Sequence, residues 1–148
     1  MKQFETRQGW MNLLAKAPDA ALNACFQALG PPPAFIWLRA PEPGGVMVQG
    51  RAGGTGAPFN LGEMTVTRCA LRLSDGGAVG HAYVQGRNRV KAEQAALVDA
   101  MMQTPQADLV RDVVLSPLAK AAQDARQARA EKAAATKVDF FTLMRGED

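Results

Sequence analysis

Four glycines, Gly50, Gly53, Gly54 and Gly56, fall within seven residues and open onto the longest strand-like run of the chain, about 59–73. Glycine at that density means left-handed backbone, or a main chain that must come close to something. The element after the loop decides what it can be. A dinucleotide fingerprint needs a helix after its glycines, and here the loop leads into another strand. A phosphate P-loop fails as well, because no Gly-Lys-Ser/Thr comes next. Two readings remain. One is a wide β-turn that uses glycine for its geometry alone, the default use of the residue. The other is an anion cradle in which the bare N–H groups of Gly53, Gly54, Thr55 and Gly56 act with Arg51 and Arg68, which flank the loop in sequence.

The chain reads as one α+β domain, 1–148, around that stretch. A helical hairpin is expected over 6–30. Trp10, Leu13, Leu14 and Ala17 recur at i, i+3, i+4, i+7, with Thr6 as N-cap. Pro18 and Asp19 suit a second helix start, and Leu22, Cys25, Phe26 and Leu29 continue the pattern. Gly30 and Pro31-Pro32-Pro33 stop it. A four-stranded, mainly antiparallel sheet is expected over 34–86. Its strands are 34–39, then 46–52 across a Pro41-Glu42-Pro43-Gly44-Gly45 turn, then 59–73, then 79–85 across an Asp75-Gly76-Gly77 turn. On 59–73 the apolar phase changes from Met64 and Val66 to Cys69, Leu71 and Leu73. Alternation cannot change face without an extra residue, so a bulge or bend is expected near 67–70; the alternative is a strand with both faces partly covered.

Helices are expected over 88–136. Asn88 caps the first, whose apolar face is Val90, Leu97, Val98, Met101 and Met102. A second covers 107–115, and Ser116-Pro117 reads as a serine cap with proline at the first helical position of a third. From Leu118 to about 135 the apolar positions are nearly all alanine, which gives helix propensity but little to bury. Such a helix projects from its domain or lies along a partner. An apolar extended tail, 138–148, comes last, with Val138, Phe140, Phe141, Leu143, Met144 and Arg145. It either folds back on its own core or docks in a groove on another subunit.

With 148 residues, 47% of them hydrophobic, the chain has enough to build a core. No apolar run approaches the ~20 residues that span a bilayer, and Glu5 and Gly9 interrupt the first segment where a signal peptide needs an apolar stretch. A cytoplasmic protein with no membrane partner is expected. Cys25 and Cys69 are isolated and read as buried reduced thiols. The net charge is only +3, but residues 51–91 hold six basic residues against two acidic ones. That surplus suits an anionic ligand or an acidic protein neighbour. Nucleic acid is not expected, for want of a lysine-rich run or a platform of aromatics.

Chemistry is thin. His81 is the only histidine, and without cysteine or acidic ligands near it in sequence it reads as structural. No serine sits in a GxSxG elbow, and no cysteine has a dedicated base. Asp75 with Asp99, or Glu63 with Glu93, are acid–base pairs on paper only. No catalytic residue, metal site or cofactor of its own is assigned to the chain.

Five blocks taken together carry a resemblance. They are Thr6-Arg7-Gln8-Gly9-Trp10-Met11; Arg51-Ala52-Gly53-Gly54-Thr55-Gly56; Thr65-Val66-Thr67-Arg68; Tyr83-Val84-Gln85-Gly86-Arg87 running into Lys91-Ala92-Glu93; and Val138-Asp139-Phe140-Phe141-Thr142 with Arg145-Gly146. In this order they resemble the PhnG family, a component of the bacterial carbon–phosphorus lyase core complex. The resemblance implies an accessory role in phosphonate catabolism beside subunits H, I and J, subunit I most directly, and an ABC-type accessory protein. It implies that the assembled complex takes ATP as substrate and displaces adenine with a phosphonate, giving a ribose 1-phosphonate 5-triphosphate. It supplies no catalytic residue for this chain. The alternative from the residues alone is a free-standing homodimeric module that binds a phosphate-bearing anion through the glycine loop.

Overall fold

The structure, a computed structural model, describes residues 4–146, and for residues 52 and 138–146 it describes the backbone alone. Two helices, α1 (Arg7–Lys16) and α2 (Asp19–Ala28), precede three strands, β1 (Phe35–Arg51), β2 (Pro58–Leu73) and β3 (Val79–Gln85). Helices α3 (Arg89–Met101), α4 (Ala107–Val110) and α5 (Ser116–Gly146) complete the chain. The sheet is antiparallel in the order β1-β2-β3. Local signals set the helix starts as expected. The Thr6 hydroxyl accepts from the Gly9 amide at 3.1 Å, and the Asn88 side chain accepts from the Lys91 amide at 3.0 Å, each closing an orphan N–H of a first turn.

One face of the sheet carries the core. Thr67, Cys69, Leu71 and Leu73 of β2 and Ala82 and Val84 of β3 are buried there beneath α3. Thr67 is tolerated because its hydroxyl donates to the Gly86 carbonyl at 2.7 Å. Helix α3 comes close because its contact positions are small: Ala92, Ala95, Ala96 and Ala100 are all buried. Gly80 completes that approach, since a Cβ there would collide with the Ala96 carbonyl oxygen. From the other side of α3, Trp10 and Leu14 of α1 and Leu22 and Phe26 of α2 close the same core. Val90, expected in the apolar face of α3, is instead 59% exposed; the alanines do that work.

The sheet has three strands, not four. Pro41-Glu42-Pro43-Gly44-Gly45 is extended within β1, and neither Gly44 nor Gly45 takes a positive φ. Proline is compatible here because β1 is an edge strand, where a missing N–H costs the ladder nothing. Register shifts between Trp37 and Arg39 and between Arg39 and Glu42 absorb the surplus residues. They lie opposite Leu71 to Arg68, where an irregularity was expected, but the extra residues are on β1. Strand β2 itself pairs with β3 without a shift from Val66 to Arg72. The change of apolar phase has the other cause: both faces are partly covered, Val66 being 4% exposed on the face away from α3.

The C-terminal part also departs from expectation. Ser116 has helical dihedrals and caps nothing; α4, a π turn over Arg111–Leu115 and α5 run on as one helix. Pro117 accounts for the π turn, because proline cannot donate to the carbonyl four residues back and its ring crowds it. The backbone then stays helical to Gly146, 31 residues or roughly 46 Å, in place of an extended tail. The side chains of Val138, Phe140, Phe141, Leu143, Met144 and Arg145 lie outside those described.

Cys69 is buried and its thiol donates to the Ala92 carbonyl at 3.3 Å. Cys25 is half-buried, and both are free. Burial, with a smaller push from Glu93, drives the Cys69 thiol up to about 12. A thiol-specific reagent at pH 8 is expected to modify Cys25 alone in the native protein and both thiols in denaturant. Because the folded thiol ionises later than the unfolded one, the stability it contributes is present at neutral pH and is lost as the pH rises toward 12.

Candidate functional site

The glycine loop is the tip of a long β1–β2 hairpin. Residues 52–54 form a single 3-10 turn in which Gly53 (φ 63°) and Gly54 (φ 81°) are left-handed. The Arg51 guanidinium folds back and donates to the Gly56 carbonyl at 3.2 Å, on an exposed turn. Arg68 is not part of this tip. It lies ten residues along β2 from Pro58, roughly 33 Å at strand rise. There its guanidinium stands 5.3 Å from the centre of the Tyr83 ring, in register with Glu42. Of the six residues grouped for anion binding, the structure therefore brings together Arg51, Gly53, Gly54, Thr55 and Gly56, and leaves Arg68 apart.

Strand β3 ends opposite Val66, where Gln85 pairs. Beyond that point β1 and β2 have only each other, over roughly 25 Å. Met47, Phe59, Leu61 and Met64 are exposed on this arm. A two-stranded ribbon is marginal without a third layer, and this arm leaves its apolar side chains bare.

The most constrained polar group is Asp99, on the buried side of α3 and fully inaccessible. It accepts from Arg7 Nε at 3.1 Å and Arg7 Nη2 at 2.9 Å. It also accepts from Trp10 Nε1 at 2.8 Å and from the His81 amide at 2.8 Å. Four donors satisfy one carboxylate, as a buried charge requires. The hydrogen bond from Arg7 holds that guanidinium even more firmly protonated than usual. The cluster ties α1, β3 and α3 together, and with its lone pairs spent it is a latch. Sequence reasoning considered Asp99 only as a paper partner of Asp75. The available signal was an acid among the buried positions of α3, which demands a cation, with Arg7 and Trp10 one turn apart on α1. His81 serves through its backbone; its side chain is exposed on the far face of β3.

A second latch joins α2 to α3. Asn88 Nδ2 donates to Asp19 at 3.0 Å, and the nearly buried Lys91 pairs with the same carboxylate at 3.4 Å. The Asn88 hydrogen bond, and then the Lys91 charge, hold Asp19 below the usual carboxylate range.

Two clefts remain. One, about 750 Å³, lies on the sheet face away from α3 and is walled by α1. Met11, Val46, Met64, Val66 and Tyr83 make its apolar part. The other, about 710 Å³, lies between α1 and the start of α5, over Leu13, Leu118 and alanines, with Lys16, Arg126 and Arg129 among its lining. Among the described residues no group of three or more His, Cys, Asp or Glu side chains is placed to hold a metal. No described helix is long and apolar enough to cross a membrane.

The profile of the family described as phosphonate metabolism protein PhnG matches residues 5–146. The chain belongs to the PhnG family. A curated relative from Rhizobium meliloti (strain 1021), named alpha-D-ribose 1-methylphosphonate 5-triphosphate synthase subunit PhnG, is 41% identical over 144 residues. That alignment covers 97% of this chain and 91% of the relative. PhnG membership fits what the described side chains offer: one latch that fixes α1 and α3 on β3, one that joins α2 to α3, and exposed apolar side chains on the β1–β2 arm.

Proposed function

We propose that the chain is an accessory subunit of a ribose 1-methylphosphonate 5-triphosphate synthase within a carbon–phosphorus lyase core complex. In this reading the assembly exchanges the adenine of ATP for a phosphonate, and this chain contributes shape and contact surface. Its partners are subunits H, I and J, with I bound most directly, and an ABC-type accessory protein; the setting is the cytoplasm. The carrying observation is the 41% identity, spread over nearly the whole chain, to a named subunit of that synthase. The structure supports it in kind. The β1–β2 arm and residues 123–137 of α5 are exposed and extend beyond the packed core.

Removing residues 138–148 is expected to abolish co-purification with subunit I while leaving the thermal transition of the isolated chain within a few degrees. Intact assembly after that deletion counts against the reading. The rival, a homodimeric module binding a phosphate-bearing anion through the glycine loop, is weakened by the separation of Arg68 from Arg51. Calorimetric titration of ATP into the isolated chain, giving no saturable heat, separates the two.

A further inference from the structure

We propose that the open face of the sheet is the seat of an amphipathic helix from a partner subunit, with an apolar stripe flanked by Asp and Glu. This rests on the accessory-subunit reading and adds to it a place and a chemistry.

The strand registers define the face. Val66 stands beside Gly44 and Gln85, Met64 beside Val46, and Arg68 beside Tyr83, all on the side away from α3. Helix α1 covers this side only near Val66, which is 4% exposed, and no other described element lies over it. Met64 is 37% and Tyr83 49% exposed, while α1 forms one wall through Arg7, Met11 and Lys16. Two inter-strand spacings make a floor about 10 Å wide, the diameter of one helix with its side chains.

An added strand is disfavoured at both edges. The free edge of β1 contains Pro41 and Pro43, which have no N–H, and the surplus residues of two register shifts. The edge of β3 is occupied by α1, whose Arg7 reaches the Val79 carbonyl at 3.4 Å. Recognition therefore uses the face, and the matching element is a helix with apolar residues three and four apart.

Charge selects the partner. The cleft is lined by Lys16, by Arg7, whose guanidinium already pairs with Asp99, and by no carboxylate. Arg68 adds a cation on the same face, beside Tyr83. The acid in register with it, Glu42, is already paired with Arg39 at 3.5 Å. A helix flanked by acids gains from these groups, and one flanked by lysine or arginine is repelled.

The test uses the full chain co-expressed with the other synthase subunits, with the photo-crosslinking residue p-benzoylphenylalanine at Tyr83 or at Met64. A control carries it at Asp75, on the far hairpin turn. Expected are crosslinks from both positions, and not from the control, into one helical segment of another subunit whose flanks are net acidic. In the same complex, Lys16→Glu combined with Arg68→Glu is expected to weaken association at least ten-fold at low salt. Crosslinks into a second copy of this chain, into a basic segment, or into none while the complex still assembles would overturn the proposal and leave the subunit reading standing. An unchanged affinity in the charge-reversed pair overturns the acidic partner. Failure of the wild-type subunits to co-purify strikes the subunit reading itself, and this proposal falls with it.

Discussion

Asp99→Ala is expected to lower the unfolding free energy by about 3–5 kcal/mol, the cost typical of breaking a buried, hydrogen-bonded charge cluster. The carboxylate is inaccessible and takes four hydrogen bonds. Its loss strands the buried Trp10 indole N–H and the His81 amide, each costing about 1–3 kcal/mol when left unpaired. Arg7 can turn to water, since its side chain is 44% exposed, so the ion pair itself contributes the smaller share. Two comparisons separate these parts. Asp99→Asn keeps the volume but presents an amide to donors, and is expected to cost roughly half as much. Arg7→Ala leaves the indole and amide bonds in place, and is expected to cost less than Asp99→Ala. Urea unfolding followed by tryptophan emission reads all three, and Trp10 reports from inside the cluster. A loss below about 1 kcal/mol for Asp99→Ala would remove the latch as an explanation of how α1 is held.

That cluster also shows where sequence reasoning stops. Signals confined to one turn were legible: the caps at Thr6 and Asn88, the stop at Gly30, the stripe of Leu22 and Phe26. Each is decided by neighbours within four residues. Asp99 and Arg7 are 92 residues apart, and no local period announces their meeting. Pro41 to Gly45 misled for a different reason: the residues that make a turn are also those that blunt an edge strand, and only the place of β1 in the sheet distinguishes the uses. Val66 was legible as apolar but not as buried, because what covers it is α1, arriving from the far end of the sequence. Within the anion grouping, length alone separates Arg68 from the loop. Arg51 and Arg68 flank the loop on paper, yet a strand carries them roughly 33 Å apart. The family resemblance survives all this because it rests on residue identities spread over the chain, which do not depend on the strand count.

Gly80→Ala is expected to cost about 3 kcal/mol or more, at the upper end for overpacking, although it adds a single methyl group. The φ of Gly80 is not left-handed, so the penalty is steric. The added carbon would collide with the Ala96 carbonyl oxygen and stand 2.9 Å from both the amide nitrogen and the Cβ of Ala100. Two of those three atoms are helix backbone, which cannot swing aside as a side chain does. Relief requires α3 to lift from β3. Ala100→Gly removes just one of the three contacts, so the Gly80→Ala, Ala100→Gly double variant is expected to recover less than half of the loss. Gly53→Ala makes the contrast: open space surrounds it and its φ is 63°, so only the left-handed conformation is penalised, at about 1–2 kcal/mol. The lift has a second consequence. Asp99 lies on α3 between Ala96 and Ala100, and the His81 amide that it accepts from adjoins Gly80. Moving the helix stretches that hydrogen bond, so much of the latch is already lost in Gly80→Ala. The two variants are therefore expected to be non-additive, the double variant losing about 0.5–3 kcal/mol less than the sum of the singles. Strict additivity in that cycle would mean that the close helix–strand approach and the carboxylate latch are independent, and that the lift does not occur.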